Sequence, residues 1–245
     1  MSINFINDHK CGFNLTNNLS HIFSKCFPTN PSCPNTFYAF NKILHEDENN
    51  KIIYFIRNPK DVIISGYNYH KICEERWCTN INGNYYDWWN TKFTDKEKES
   101  NRKYIEIGKN ISKNICYQDK LKNLPKNGGI IHEMNNIGYI TLSSMNEIPL
   151  DKPNTLIVKI EDLTYNTKET LIRITKFLNL DFMDDLFNST NKILPHMMSD
   201  EEISKNIFIT NKNCKKNNYL NYWNDELENH FNIKFPNIMQ KFGYE

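Results

Sequence analysis

Residues Lys51–His70 read KIIYFIRNPKDVIISGYNYH. Ile52–Ile56 is apolar or aromatic at every position, with no alternation. A strand covered on both faces has that pattern, as inside a parallel sheet; a half-exposed strand alternates. Arg57 ends the run and Asn58-Pro59 breaks it, because proline lacks a backbone donor and restricts its predecessor. From Asp61 the period changes. Val62, Ile63, Gly66 and Tyr69 fall at helical spacing, with Asp61 as the expected N-cap. A buried strand, a charged turn and a helix make the ligand-binding corner of an open α/β sheet. In a helix starting near Lys60, Ser65 lies about one turn in and faces back toward Arg57. A forked guanidinium with a hydroxyl suits a phosphate. On spacing alone, a structural arginine and a packed serine fit equally well.

The N-terminus repeats the plan. Ile3–Ile6 is predicted as a strand, His9-Lys10-Cys11-Gly12 as a turn, and Phe13–Phe27 as a helix with Leu15, Leu19, Ile22, Phe23 and Cys26 on one face. Strand, turn and helix at this place form a phosphate loop in α/β nucleotide folds. The Walker pattern GxxxxGK[ST] is absent. Further on, Asn35–Phe40 reads as a strand, Asn41–Glu46 as a short helix and Asn154–Lys159 as another buried strand. Glu161-Asp162-Leu163 reads as a turn whose acidic pair caps the helix Lys168–Leu178. Glu74–Phe93 is rich in Trp and Tyr, which fits either packing under a loop or a pocket wall. The charge run Asp95–Lys103 reads as a solvated face.

Composition narrows the class. A chain of 245 residues, 39% hydrophobic and 24% charged, supports one α/β domain over 1–245. Net charge is +1, which gives no basis for binding nucleic acid or a polybasic attachment to membranes. The seven cysteines are scattered, without CxxC pairs, and read as reduced thiols in a cytoplasmic protein rather than as metal ligands. No apolar run approaches the ~20 residues of a membrane helix. The N-terminus has no signal-peptide core, since Asn7, Asp8, His9 and Lys10 interrupt it.

Arg57-Asn-Pro-Lys-Asp-Val-Ile-Ile-Ser65-Gly-Tyr-x-Tyr69-His70 resembles the 3′-phosphate-binding motif of sulfotransferases that use 3′-phosphoadenosine 5′-phosphosulfate (PAPS). In that family the arginine and serine hold the 3′-phosphate. Lys10-Cys11-Gly12-Phe13-Asn14-Leu15 resembles the family's 5′-phosphosulfate loop, Lys-x-Gly-Thr-Thr-x. Lys10 and Gly12 match, while Phe13 and Asn14 replace the two hydroxyl residues. The segment Asn154–Leu180 resembles the family's strand, Tyr-Glu-Asp turn and helix, with Ile160 where a tyrosine often touches adenine. Lys215-Lys216-Asn217 before Trp223 resembles the loop that closes over the 3′-phosphate.

The resemblance implies a central parallel sheet flanked by helices, related to the nucleotide kinases. The implied reaction is transfer of SO₃ from PAPS to a hydroxyl or amine of a small-molecule or carbohydrate acceptor. Adenosine 3′,5′-bisphosphate is the product and no metal is needed. Lys10 is the expected stabiliser of the departing bisphosphate. His9 is the expected base, with His70, His132 and Glu133 as rivals. Tyr69, His70, Trp77, His132 and Glu133 are the acceptor-side candidates. A catalytically inactive nucleotide-binding or interaction protein on the same fold is the alternative, motivated by Phe13 and Asn14.

Overall fold

The computed structural model describes residues 2–28, 35–38, 49–85, 95–100, 102–197, 199, 201 and 217–244. The chain divides into two compact units. The first holds Met1–Arg57 and Glu147–Asn206, the second Asn58–Asn146 and Asn217–Glu245.

A parallel sheet organises the first unit. Its strands are β1 (Ser2–Asn7), β2 (Asn35–Tyr38), β3 (Asn50–Ile56) and β4 (Thr155–Lys159), in the order β2-β1-β3-β4. Phe5 of β1 lies opposite Ile53 of β3, and Phe55 of β3 opposite Val158 of β4. These four side chains share one face with Ile3 and pack on Leu19 and Phe23 of α1 (Phe13–Cys26) and on Leu171, Ile174 and Leu178 of the helix Thr167–Leu178. The Phe5 ring meets Phe23 and Phe55 edge-on, each at 5.4 Å between centroids. On the other face Ile6, Ile52, Tyr54 and Ile56 are also buried. That double burial explains the unbroken apolar run of β3.

Two local expectations are corrected. Asn58, not Asp61, caps α2 (Pro59–His70): its side chain accepts from the main-chain N–H of Lys60 at 2.9 Å and of Asp61 at 3.4 Å. Pro59 takes the first helical position, where its missing N–H costs nothing. Asp61 instead accepts the Tyr219 main-chain N–H at 2.8 Å. Likewise Glu161 and Asp162 do not cap Thr167–Leu178. They lie in a short helix of their own, Ile160–Tyr165, and the cap position is Asn166, which makes no side-chain bond. The expected short helix Asn41–Glu46 falls outside the described residues. Within the charge run Asp95–Ser100 is helical, and the exposed Glu99 and Arg102 pair at i,i+3, 3.4 Å apart.

In the second unit α2 is buried along most of its length. Glycines let other helices approach it. Gly138 of the helix Ile137–Asn146 faces Ile63, so that a Cβ there would lie 2.3 Å from its Cδ1. A Cβ on Gly66 would lie 2.5 Å from Oε1 of Glu133, on the helix Lys126–Asn135. Glu133 is 1% exposed. Its Oε2 sits 2.9 Å from Nδ1 of the equally buried His70 and accepts the Tyr117 hydroxyl at 2.9 Å.

These contacts decide the sign of a substitution. Alanine is ordinarily favoured over glycine in a helix by roughly 1 kcal/mol. Here the added methyl displaces a buried carboxylate held by two partners, so Gly66→Ala is expected to lose about 2 kcal/mol net. A urea midpoint that stays level or rises would show that Glu133 moves freely. His132 gives a second test. Burial foremost, with Lys120 nearby, pushes its imidazole down to about 4, against a smaller upward pull from Glu133. Between about pH 6.5 and 4 the unfolded chain takes up a proton that the folded one refuses, so stability falls as pH drops through that window. His132→Gln should remove that loss, on the order of 1–2 kcal/mol after solvent screening, in melts at pH 7 and pH 4.5.

Candidate functional site: the loops after β1 and β3

β1 and β3 are hydrogen-bonded neighbours running in parallel, with Asn7 opposite Phe55. Their C-terminal ends therefore lie side by side, and so do the loops that leave them. The sheet order is β2-β1-β3-β4, so the connection after β1 runs to β2 on one side and the one after β3 runs to β4 on the other. In open α/β sheets that reversal makes the ligand crevice.

The first loop is Asp8–Gly12. Asp8 is buried and accepts the Tyr54 hydroxyl at 2.7 Å, and its carbonyl accepts the Cys11 N–H at 3.1 Å. His9 and Lys10 are half-buried. Lys10 has φ +62 and Gly12 φ +84, both left-handed. Gly12 is doubly constrained, since a Cβ there would also lie 2.8 Å from Cδ1 of Ile160. Ile160 thus packs beneath this loop.

Gly12 is the N-cap of α1, and having no side chain it leaves the helix uncapped from that position. A fourteen-residue helix presents main-chain N–H groups and the positive end of its dipole there. Phe13 and Leu15 are half-buried and Asn14 is exposed. The Thr16 hydroxyl is engaged internally, donating to the Phe13 carbonyl at 3.0 Å and accepting from the Asn7 amide.

Arg57 leaves β3. One guanidinium nitrogen donates to the Lys10 carbonyl at 3.2 Å. The Cys11 thiol is driven up, first by burial and then by the Asp8 carboxylate, with Arg57 opposing. It stays a neutral thiol. The loop therefore combines two cations, a turned backbone and an open helix start, which fits an anionic ligand. Ser65 lies buried on α2.

The acceptor-side candidates form one cluster within the second unit. His70 and Tyr117 meet on the same Glu133 oxygen; the importance of Tyr117 has no signal in spacing, since it stands alone at the start of the helix Tyr117–Asn123. The Trp77 ring meets His70 edge-on at 5.2 Å and Tyr117 at 5.7 Å, and the His132 ring lies 5.3 Å from Tyr117. Tyr69 is buried, and burial, then Glu75, push its phenol up. Glu75 also accepts the Trp77 indole N–H at 2.7 Å. Trp77 and His132 are half-exposed, whereas Tyr69, His70 and Glu133 are not.

Lys215 and Lys216 fall outside the described residues. Asn217 is in the left-handed region at φ +56 and opens a turn, Asn218–Asn221. Beyond it, Lys60 contacts Glu228 at 2.7 Å, and the Trp223 indole donates to the same carboxylate at 2.5 Å. The ammonium also lies over the Tyr219, Trp223 and Phe231 rings at 5.5–5.7 Å. Burial raises the Glu228 carboxyl, but the bonds from Lys60 and Trp223 outweigh it and hold the group below its ordinary range. Lys60 was legible only as one lysine among many.

No curated protein matches the chain by sequence. Among solved structures, the crystal structure of mouse sulfotransferase SULT7A1 complexed with PAP is similar in fold, with a TM-score of 0.53 at 14% identity. The match covers 99% of this chain and 85% of that one. Among the described residues no helix is long and apolar enough to cross a membrane. The profile of the sulfotransferase domain family matches residues 35–242, which include Arg57 and Ser65 and begin after the Lys10 loop. With its parallel sheet flanked by helices, the chain belongs to the sulfotransferase domain family.

Proposed function

We propose that the loops after β1 and β3 bind PAPS, with Lys10 at the transferring sulfonate and Arg57 and Ser65 at the 3′-phosphate. The reaction class comes with the family: sulfonate passes to an acceptor hydroxyl or amine, and adenosine 3′,5′-bisphosphate leaves. The observation that carries the residue assignment is the 3.2 Å bond from the Arg57 guanidinium to the Lys10 carbonyl. It joins two stretches, Lys10–Leu15 and Arg57–Ser65, that the sequence singles out independently. The PAP bound to the mouse neighbour is consistent with this donor.

Main-chain N–H groups of Gly12, Phe13, Asn14 and Leu15 cradle the 5′-phosphosulfate at the start of α1, after the turn that Cys11 closes on Asp8. The Lys10 ammonium stabilises the charge that builds on the bridging oxygen as the S–O bond breaks. His9 takes the acceptor's proton, its motive being position at the carboxyl end of a central strand. Lys215, Lys216 and Asn217 add to the 3′-phosphate site. On the acceptor side, Trp77 and His132 are the half-exposed members of the aromatic cluster, and Tyr69, His70 and Glu133 hold it in place. The reading takes residues 1–245 as one domain, since each compact unit is assembled from separate stretches of chain. A cytoplasmic setting suits the free thiols of Cys11, Cys26, Cys73, Cys78 and Cys116.

Lys10→Ala is expected to lower turnover by about two orders of magnitude with a smaller effect on PAPS affinity. If turnover survives and only affinity drops, the lysine is a phosphate ligand and no more. His9→Ala should keep bisphosphate binding and lose most turnover with an alcohol acceptor. The loss should shrink as the acceptor becomes more acidic, since an ionised acceptor needs no base. An unchanged rate in His9→Ala with a collapse in Glu133→Gln would move the role to Glu133.

A further inference from the structure

We infer that Arg57 is also a positioning residue for Lys10, holding the phosphosulfate loop in its working shape before any nucleotide arrives. The inference rests on the proposed role of Lys10 and goes beyond phosphate binding by Arg57. Lys10 is held at φ +62, a backbone region that residues with a Cβ rarely occupy. Such a conformation persists only when its surroundings over-determine it.

Two contacts from β3 and its end do so. The Tyr54 hydroxyl bonds the Asp8 carboxylate at 2.7 Å, ahead of Lys10. One Arg57 guanidinium nitrogen bonds the Lys10 carbonyl itself at 3.2 Å. Cys11, directly after Lys10, is fully buried. Phe13 carries no polar group, Asn14 points into solvent exposure, and the Thr16 hydroxyl is committed to Phe13 and Asn7.

A guanidinium has five N–H donors in a fixed fork, so one edge can hold the carbonyl while others remain for a phosphate. Lysine at the same place keeps the charge but loses the fork. The two functions are thereby separable in Arg57→Lys and Arg57→Ala.

The test uses the whole chain and three readouts. In the nucleotide-free protein, hydrogen exchange over residues 8–13 and alkylation of Cys11 by iodoacetamide, mapped by mass spectrometry, should each rise about tenfold or more in both variants. At saturating PAPS, kcat should fall about tenfold or more in both. Preference for adenosine 3′,5′-bisphosphate over adenosine 5′-phosphate should be largely kept in Arg57→Lys and lost in Arg57→Ala. Unchanged exchange and alkylation with full kcat at saturating PAPS would overturn the positioning role, whatever happens to affinity. Loop loosening and a lower kcat with the bisphosphate preference intact in Arg57→Ala would leave the positioning role standing and remove the 3′-phosphate assignment. Should Arg57→Ala fail to fold, Arg57→Lys alone decides the positioning role through the same exchange and kcat readouts.

Discussion

The parallel pairing of β1 with β3 is the constraint on which the candidate site depends. Its register sets Asn7 against Phe55, so Asp8–Gly12 and Arg57 emerge from the sheet at the same level. Burial secures that register. A slip of one residue would exchange the two faces, moving Phe5, Ile53 and Phe55 away from Leu19 and Phe23. Neither strand can shift without dismantling the core beneath it. The charged residues at the strand ends inherit this rigidity, as a site mounted on strands should.

Rigidity of that kind has an electrostatic consequence. Asp8 is a buried carboxylate next to two cationic residues, and it raises the Cys11 thiol while Arg57 lowers it. The tyrosine bonded to it comes from β3, so a charge that burial would penalise is tied to the sheet by a neutral donor. Glu133 in the second unit follows the same pattern, accepting from Tyr117 and lying 2.9 Å from Nδ1 of His70. In both places a carboxylate is kept inside by hydrogen bonds, and a glycine or a turn makes the room. The requirement at Gly66 is steric, while at Gly12 it is both steric and conformational.

Much of this was legible in the sequence, and the boundary is physical. The apolar run of β3, the change of period after Pro59 and the helix after Gly12 are local patterns, and local patterns report secondary structure. The Arg57 and Lys10 stretches were legible as well, because their residue types and spacing are specific. What the sequence concealed depends on contacts far along the chain. Asn58 outcompetes Asp61 as the cap because Asp61 is taken by Tyr219, 158 positions away. Tyr117 becomes a hub only through Glu133 and His70. Tyr54 reads as one more strand residue, and its bond to Asp8 follows from the pairing of β1 with β3. The short helix Ile160–Tyr165 was masked by an acidic pair that reads equally well as a turn.

Phe13 and Asn14 pose the remaining question about chemistry, since hydroxyl donors at those positions are what the resembling loops carry. A hydroxyl contributes one donor that must be oriented, and orienting it costs entropy. A main-chain N–H at a helix start is already oriented by the helix and adds the dipole of every turn behind it. For α1 that helix is fourteen residues long and anchored through Leu19 and Phe23 in the sheet's core. The direction of its amide groups is thus set by the same burial that sets the β1–β3 register. An anion held there depends less on the identity of the side chains at 13 and 14 than on the left-handed turn at Gly12, because only that turn aims the amides outward. Ile160 beneath Gly12 leaves no space for a Cβ, so both the left-handed turn and the packing below it call for glycine at this position.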